Sequence, residues 1–352
     1  DDQPRETNIL DRGAYLSKKE KVTFDAPGFL PPLPKDAPKN RLGLAQWLFR
    51  PEHPLTARVQ VNRQWQELFG KGIVRTSEDL GVQSDRPTHQ DLLDWLSVEF
   101  RESGWKIKAL QKIILTSKTY RQSSHVTKEQ LQKDPENKLL SHAPRLRLPS
   151  MVLRDVALRS SGLLNAQVGG VPVYPYLPDS PWESLAITKE RDFTYPQSKG
   201  ADLYRRSLYT FWRRTIAPVN MFDISARQTC RVRTAVTSSP LHALTMLNDP
   251  TWVEAARVLA QRVTKEQSTD EARLARAFAL VLGREPSGKE PALIAKMLAN
   301  QRAVYVADVK AAEALLVIGE SKRDPMIPLA EHAALTATCL ALYNLDAAIT
   351  RD

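Results

Sequence analysis

The chain has 352 residues, of which 42% are hydrophobic and 26% are charged, as in an ordinary globular protein of one large domain or two modest ones. No run of about 18 apolar residues occurs, which excludes a membrane-spanning helix, and a net charge of +10 favours anionic partners. Two cysteines, Cys230 and Cys339, exclude a fold organised by several disulfides, and the chain has no Cys-x-x-Cys-His motif for attaching haem.

Residues 1–40 are predicted to form an extended N-terminal arm, because the prolines between Pro27 and Pro38 oppose helix formation. Residues 41–168 then carry apolar side chains at helical spacing and are predicted as an N-terminal helical part. Helices are expected to begin near Leu42, Pro54, Thr88, Trp105 and Pro149. We expect Thr88 to open its helix with a capping box that Asp91 completes.

Residues 169–237 combine a Pro/Gly loop with an Arg/aromatic segment. The glycines and prolines between Gly169 and Pro181 predict a loop and a domain boundary. Residues 203–212 have the alternating, aromatic pattern of a β-strand, and residues 231–237 are its predicted partner.

Residues 238–352 are predicted as a C-terminal helical part, with helices at about 239–262, 269–282, 287–299, 302–318 and 328–348. The predicted fold class is therefore mainly α, in one or more helical domains, with a small central β element and the extended Pro-rich arm. The parts either fold separately or form one continuous domain.

The Arg/aromatic segment is the strongest functional signal. From Asp202 to Arg233 the chain has seven arginines, no lysine, no glutamate and two aspartates. The planar guanidinium suits carboxylate, phosphate or sulfate. The segment predicts an anion site with the ligand-binding candidates Arg205, Arg206, Tyr209, Trp212, Arg213, Arg214 and Arg227. The alternative is structural: the arginines form buried ion pairs with Asp155, Asp202 and Asp223.

Other candidates lie outside this segment. Arg58, Asn62 and Arg63 share a predicted helix and are expected either to join a binding site with Asp79 and His89 or to hold a loop. The candidates for acid/base catalysis are Asp223, Asp155 and His89. No pair of histidines has metal-ligand spacing, so no metal site is predicted.

Several longer motifs follow one another along the chain. Among them are His53-Pro-Leu-Thr-Ala-Arg-Val-Gln-Val-Asn-Arg-Gln-Trp65, Phe69-Gly-Lys-Gly-Ile-Val-Arg-Thr-Ser-Glu-Asp-Leu-Gly81, Arg145-Leu-Arg-Leu-Pro149 and Tyr204-Arg-Arg-Ser-Leu-Tyr-Thr-Phe-Trp212. This ordered set resembles the C-terminal domain of unknown function of large secreted planctomycete and verrucomicrobial proteins. The resemblance covers nearly the whole chain. The family's Thr-Asn-Thr-Pro-Leu-Gln reads Thr-Ser-Ser-Pro-Leu-His here, so the family's Asn and Gln are replaced at Ser238 and His242.

The resemblance implies an extracytoplasmic protein, periplasmic or secreted, with a planctomycete-type cytochrome-c domain upstream. This chain then carries no cofactor of its own, and c-type haem belongs to the upstream domain or to a partner chain. The resemblance also implies a connection with polysaccharide metabolism and supplies no proven activity.

The sequence thus predicts a module that binds an anionic ligand, with acidic or sulfated polysaccharide preferred. The alternative is a carbohydrate-active enzyme, oxidative or hydrolytic, that uses the Asp and His candidates in the same pocket. Nucleic acid is not an expected partner. The basic excess forms no continuous stripe, and no helix-turn-helix, zinc-finger or RNA-recognition motif occurs.

Overall fold

The computed structural model describes residues 6–177, 195–211, 232, 236 and 239–351. The chain divides into two compact units, Asp1–Pro144 and Arg145–Asp352. It is 52% helical, with 13 α-helices and two small two-stranded sheets in the described residues. The prediction of a mainly α fold is confirmed. The four-part division made from the sequence stays a prediction.

The first unit begins with an antiparallel hairpin that the sequence analysis did not predict, and continues as helices. Its elements are β1 Thr7–Leu10, β2 Lys18–Val22, α1 Arg41–Leu48, α2 Thr56–Phe69, α3 Gln90–Glu102, α4 Ile107–Thr116 and α5 Lys128–Lys133. Apolar side chains at helical spacing meet in one core between α2, α3 and α4. Its most buried members include Val61, Trp65, Phe69, Leu93, Leu96, Phe100, Leu110 and Ile114.

The capping box predicted at Thr88 was wrong. Helix α3 begins at Gln90, and no side-chain cap closes its N-terminus. The Thr88 hydroxyl instead donates to the Ile73 carbonyl at 3.3 Å. The Thr88 N–H also donates to Ile73, at 2.9 Å, so Thr88 fixes the loop before α3 rather than forming a capping box.

The second unit is built around one almost completely buried helix. Its elements are β3 Leu146–Arg147, α6 Ser150–Ser161, α7 Pro240–Asn248, α8 Pro250–Glu266, α9 Asp270–Leu282, α10 Glu290–Ala307, α11 Val309–Leu316, α12 Leu329–Tyr343, α13 Asp346–Ile349 and β4 Thr350–Arg351. Helix α8 packs against α6, α9 and α12, and β3 pairs with β4 in antiparallel fashion. Helix α8 is therefore the centre of this unit's core.

Two of the predicted helices are interrupted by aspartates. The helix expected at 239–262 breaks at Asp249, whose carboxylate accepts from the Thr251 N–H at 2.9 Å. The helix expected at 302–318 breaks at Asp308, which accepts from the Ala311 N–H at 2.9 Å. A short carboxylate that bonds a nearby N–H competes with the helical hydrogen bond, so a helix starts again at each position.

The predicted strand at 203–212 is corrected by the structure. Its described part contains two short 3-10 helices, Gly200–Tyr204 and Ser207–Tyr209, and isolated bridges from Arg205 to Asn165 and from Thr210 to Val173. Side chains of α6 bind the backbone groups that a strand ladder would use. Trp212 and nearly all of the predicted partner at 231–237 lie outside the described residues.

We predict that Gly319→Ala destabilises the second unit more than the same substitution does at a glycine that has free space around it. Gly319 has φ +93°, and a β-carbon there would lie 2.6 Å from both Cγ and Oε1 of Glu254, which is fully buried. The control is Gly288→Ala, at φ +56° with nothing within 4 Å.

The control should lose about 1–2 kcal/mol of unfolding free energy through backbone strain alone. Gly319→Ala should lose roughly 1–3 kcal/mol more, because an overpacked core must shift. Urea denaturation followed by helical circular dichroism measures both variants. Equal losses would show that the space around Gly319 is not restricted.

Candidate functional site

A buried carboxylate, Glu254 on α8, connects three distant segments of the second unit. Its Oε2 accepts from the Tyr176 hydroxyl at 2.8 Å. Its Oε1 accepts from the Tyr204 hydroxyl at 2.9 Å and from the Ser321 N–H at 2.6 Å. A charge removed from water needs such partners, so these contacts fix the segments around residues 176, 204 and 321 relative to α8.

Arg257 lies one turn further along α8 and is also fully buried. Its Nη2 is 3.5 Å from Oε1 of Glu254 and donates to the carbonyl of Ser321 at 2.6 Å and to its hydroxyl at 2.8 Å. Burial lowers the pKa of Arg257, and the Glu254 charge opposes that shift. The two side chains form a buried ion pair, which is destabilised strongly when one partner is lost.

The tyrosines that bind Glu254 remain hydrogen-bond donors. Burial, and then the negative charge of Glu254, raise the pKa of Tyr176 and of Tyr204 well above the ordinary value of a phenol. Each hydroxyl therefore keeps its proton at neutral pH and donates it to the carboxylate.

A second buried arginine, Arg154 on α6, holds the segment that carries the predicted anion site. Its Nη1 donates to the Arg205 carbonyl at 2.9 Å and to the Ser207 hydroxyl at 3.2 Å, and its Nη2 donates to the Leu203 carbonyl at 3.0 Å. The neighbouring Asp155 accepts from the Ser207 N–H and hydroxyl, both at 2.8 Å. These contacts account for the absence of a strand ladder at 203–207.

Arg205, a predicted ligand contact, is buried with 3% of its surface exposed. Its guanidinium lies 4.1 Å from the centre of the Tyr209 ring. Its nitrogens donate to the carbonyls of Gln167, Gly169 and Val171. Arg205 thus holds the loop at 167–171, and these partners are neutral carbonyls rather than the aspartates of the structural alternative.

Arg206 and Tyr209, two further predicted ligand contacts, lie together and are both partly exposed. The Arg206 guanidinium is 5.6 Å from the centre of the Tyr209 ring. The Tyr209 hydroxyl accepts from the Gly169 N–H at 2.9 Å. That hydrogen bond, followed by the hydrogen bond from Arg206, lowers the pKa of Tyr209.

The remaining predicted members of this cluster lie outside the described residues. They are Trp212, Arg213, Arg214, Arg227 and the acid/base candidate Asp223. Their roles stay predictions.

In the first unit, two of the three predicted contacts on α2 have structural partners. Asn62 is 1% exposed, and its side chain accepts from the Val74 N–H at 2.8 Å and donates to the Val74 carbonyl at 2.9 Å. The Nε of Arg58 lies 2.6 Å from Oδ1 of Asp94. Arg63, next to Asn62 in sequence, is exposed. Asn62 therefore acts in the helix-to-loop manner that the sequence left as an alternative, whereas Arg58 joins α2 to Asp94 on α3.

His89 and Asp79, which the sequence analysis grouped with these residues, have other partners. Nδ1 of His89 lies 3.1 Å from the Thr88 hydroxyl, and the Asp79 carboxylate accepts from the Gly81 N–H at 2.6 Å. Of the three acid/base candidates, His89 belongs to the first unit and Asp155 to the second. Their catalytic roles stay predictions.

Within the described ranges, no three His, Cys, Asp or Glu side chains are arranged to hold a metal ion. No helix among these residues combines the length and apolar composition needed to cross a membrane.

Comparison with known proteins identifies the family. The profile described as "PSD1: Protein of unknown function (DUF1553)" matches residues 40–298, more than half of the chain. The chain belongs to the PSD1 family. No curated protein and no solved structure matches it. The resemblance to a domain of unknown function is thereby confirmed, and PSD1 membership itself assigns no activity.

The buried charges of this PSD1 chain were not predicted from the sequence, although the sequence of α8 indicates them. Glu254 and Arg257 are its charged residues within Trp252-Val-Glu-Ala-Ala-Arg-Val-Leu-Ala260, which is otherwise apolar on every face. A helix that is apolar all round is buried, and charges inside it must be paired. The i,i+3 spacing makes them neighbours. By contrast, no sequence pattern identifies their partners Tyr176, Tyr204 and Ser321.

We predict that Glu254→Gln lowers the unfolding free energy by about 3–5 kcal/mol, because Arg257 is left as an uncompensated buried charge. The double variant Glu254→Gln/Arg257→Met should recover part of that loss. Chemical denaturation of both single variants and the double variant measures the coupling as a double-mutant cycle. Additive losses would contradict the pairing.

We also predict that Asn62→Ala destabilises the first unit by about 2 kcal/mol or more, since the N–H and carbonyl of Val74 lose their buried partner. The matched control is the adjacent, exposed Arg63→Ala, which should stay within about 0.5 kcal/mol of the unmodified protein. Thermal unfolding compares the two. Similar melting temperatures for both variants would show that Asn62 has no structural role.

Proposed function

We propose that this PSD1 domain is a ligand-binding module of a larger extracytoplasmic protein and that its ligand is an anion, with acidic or sulfated polysaccharide preferred. The observation that carries the proposal is the partly exposed pair Arg206 and Tyr209, which lies against the buried charge of Arg205. A guanidinium donates in parallel to two oxygens of a carboxylate or sulfate. An adjacent tyrosine offers an apolar face with a polar tip to a sugar ring.

The charge balance around this pair supports an anionic ligand. Arg205 is bound by carbonyl dipoles, which stabilise its charge without neutralising it. The nearby carboxylate of Asp155 accepts two hydrogen bonds from Ser207 and lies 3.9 Å from Arg154. The guanidinium of Arg206, which lies beside the Tyr209 ring, would also attract a sulfate or uronate group.

The same contacts favour binding over catalysis. Asp155, the described acid/base candidate of this unit, is engaged by the N–H and hydroxyl of Ser207. Asp155 fixes the backbone at Ser207, and this structural role explains its position without a catalytic one. We propose that Trp212, Arg213, Arg214 and Arg227 extend the binding surface.

The cellular setting is proposed from the sequence resemblance. In that setting the domain is periplasmic or secreted and works beside a c-type cytochrome domain, upstream in the same polypeptide or in a partner chain. The haem then belongs to that domain and not to this chain. A haem stain and an absorption spectrum of the full-length protein, isolated from its native extracytoplasmic fraction, test this. Full-length protein that lacks haem and co-purifies with no haem protein would contradict it.

We predict that the protein is retarded in affinity electrophoresis through gels containing dextran sulfate or polygalacturonate, and not through neutral dextran. Arg206→Gln should weaken this binding about tenfold, which is the value of one charge-assisted hydrogen bond. The control Lys296→Gln removes the same charge from an exposed position on α10. It should bind like the unmodified protein.

Two results would contradict the site. Equal weakening by Arg206→Gln and Lys296→Gln would show that only the overall charge attracts the polymer. Equal retardation by neutral dextran would show that the ligand need not be an anion.

A further inference from the structure

The first unit contains an apolar groove of about 660 Å³ that no part of the proposed function uses. This volume lies within the range of about 300–1,000 Å³ typical of small-molecule sites, which are mostly apolar with a few placed polar groups. Aromatic side chains form much of its wall: Trp47 on α1, Phe49 just after it, Phe100 on α3 and Trp105 just before α4.

The aromatic wall is held in place by ring contacts. Trp105 packs edge-to-face on Phe49, with ring centres 4.7 Å apart, and on Phe100, with ring centres 5.3 Å apart. Phe49 nevertheless remains 53% exposed. A large apolar ring that is both exposed and fixed presents a preformed surface to a flat ligand.

The backbone at Trp105 is itself unusual. Its φ is +61°, a left-handed conformation in which a bulky residue is a clear outlier, and it follows Gly104 at φ +75°. The Trp105 N–H donates to the Phe100 carbonyl at 3.0 Å, which helps to hold this turn. Strained residues of this kind concentrate at ligand clamps and active sites. In this left-handed conformation the indole packs against Phe49.

One end of the groove is positively charged. Gln60 and Arg63 lie three residues apart on α2 and both line the groove. Arg63 is the one formally charged residue among the described residues that line it, and its side chain is exposed. Neither side chain is bound to another described group by a hydrogen bond or ion pair. An incoming anion would therefore meet an available guanidinium.

The histidine of the groove contributes to the apolar wall. Nδ1 of His53 accepts from the N–H of Thr56 at 3.3 Å and lies 3.0 Å from its hydroxyl. The ring packs edge-to-face on Trp47, with ring centres 4.6 Å apart. Burial lowers the pKa of His53, which keeps the ring neutral. Arg63 thus supplies the groove's positive charge alone.

We propose that this groove binds a small aromatic anion, a carboxylate or sulfonate, with its ring packed against Phe49 and Trp105 and its acidic group at Arg63. An aromatic ring suits the mostly apolar wall, whereas a sugar would leave many hydroxyls without partners there. The acidic group is matched to the guanidinium, which binds two oxygens at once. This site is separate from the polysaccharide surface proposed above, since all its residues belong to the first unit.

The experiment uses two fluorescent probes of the same shape, 8-anilinonaphthalene-1-sulfonate and its neutral analogue N-phenyl-1-naphthylamine. The protein should bind one equivalent of each. Arg63→Gln should weaken sulfonate binding about tenfold and leave the neutral probe unchanged, because it removes one charge-assisted contact. Phe49→Ala should weaken both probes about tenfold, because it removes one face of the ring site.

The controls are Arg121→Gln and Leu139→Ala, which change an exposed arginine and an exposed leucine of the same unit outside the groove. Both should bind like the unmodified protein. Sulfonate binding that Arg63→Gln and Arg121→Gln reduce equally would overturn the proposal. Binding that is insensitive to Phe49→Ala would also overturn it. So would a dimer in sedimentation velocity that binds neither probe, because a second copy would then cover the groove.

Discussion

The second unit depends on how it accommodates one charge, the Glu254 carboxylate in the middle of its most buried helix. Removing a carboxylate from water is expensive, and hydrogen bonds together with an opposite charge must offset the cost. Arg257 supplies the charge, and the other donors come from segments far apart in sequence, at Tyr176, Tyr204 and Ser321. The same requirement explains the glycine at 319, where any side chain would occupy the space of the carboxyl group.

The conformation of the arginine segment depends on these buried charges. Glu254 fixes Tyr204, and Arg154 binds the backbone on either side of it, at Leu203 and Arg205. With the backbone held there, Arg205 turns inward to the loop at 167–171, while the side chain of Arg206 stays partly exposed beside Tyr209. Adjacent arginines of identical chemistry therefore have different roles, one structural and one proposed for binding.

Much of the helical fold could be predicted from residue spacing, because Val61, Trp65 and Phe69 recur at the helical period and meet in a core. The strand at 203–212 could not be corrected from sequence, since Arg154 and Asp155, about 50 residues away, take its backbone hydrogen bonds. For the same reason it was not predictable that Arg205 is buried against a loop while Arg206 stays partly exposed. For Asn62 the sequence left open a ligand contact or a contact with a loop, and its burial and its contact with Val74 show the structural role.

Native-state hydrogen exchange of the Ser321 amide tests this account most directly, because that N–H donates to Glu254 at 2.6 Å. If the buried carboxylate organises the unit, Ser321 should exchange only through global opening, with the free energy shown by the Leu259 amide in the middle of α8. The Ser287 amide also donates to a carboxylate, that of Glu290, but on the exposed surface, and should exchange through local opening. Exchange of Ser321 as fast as that of Ser287 would contradict the central role of Glu254.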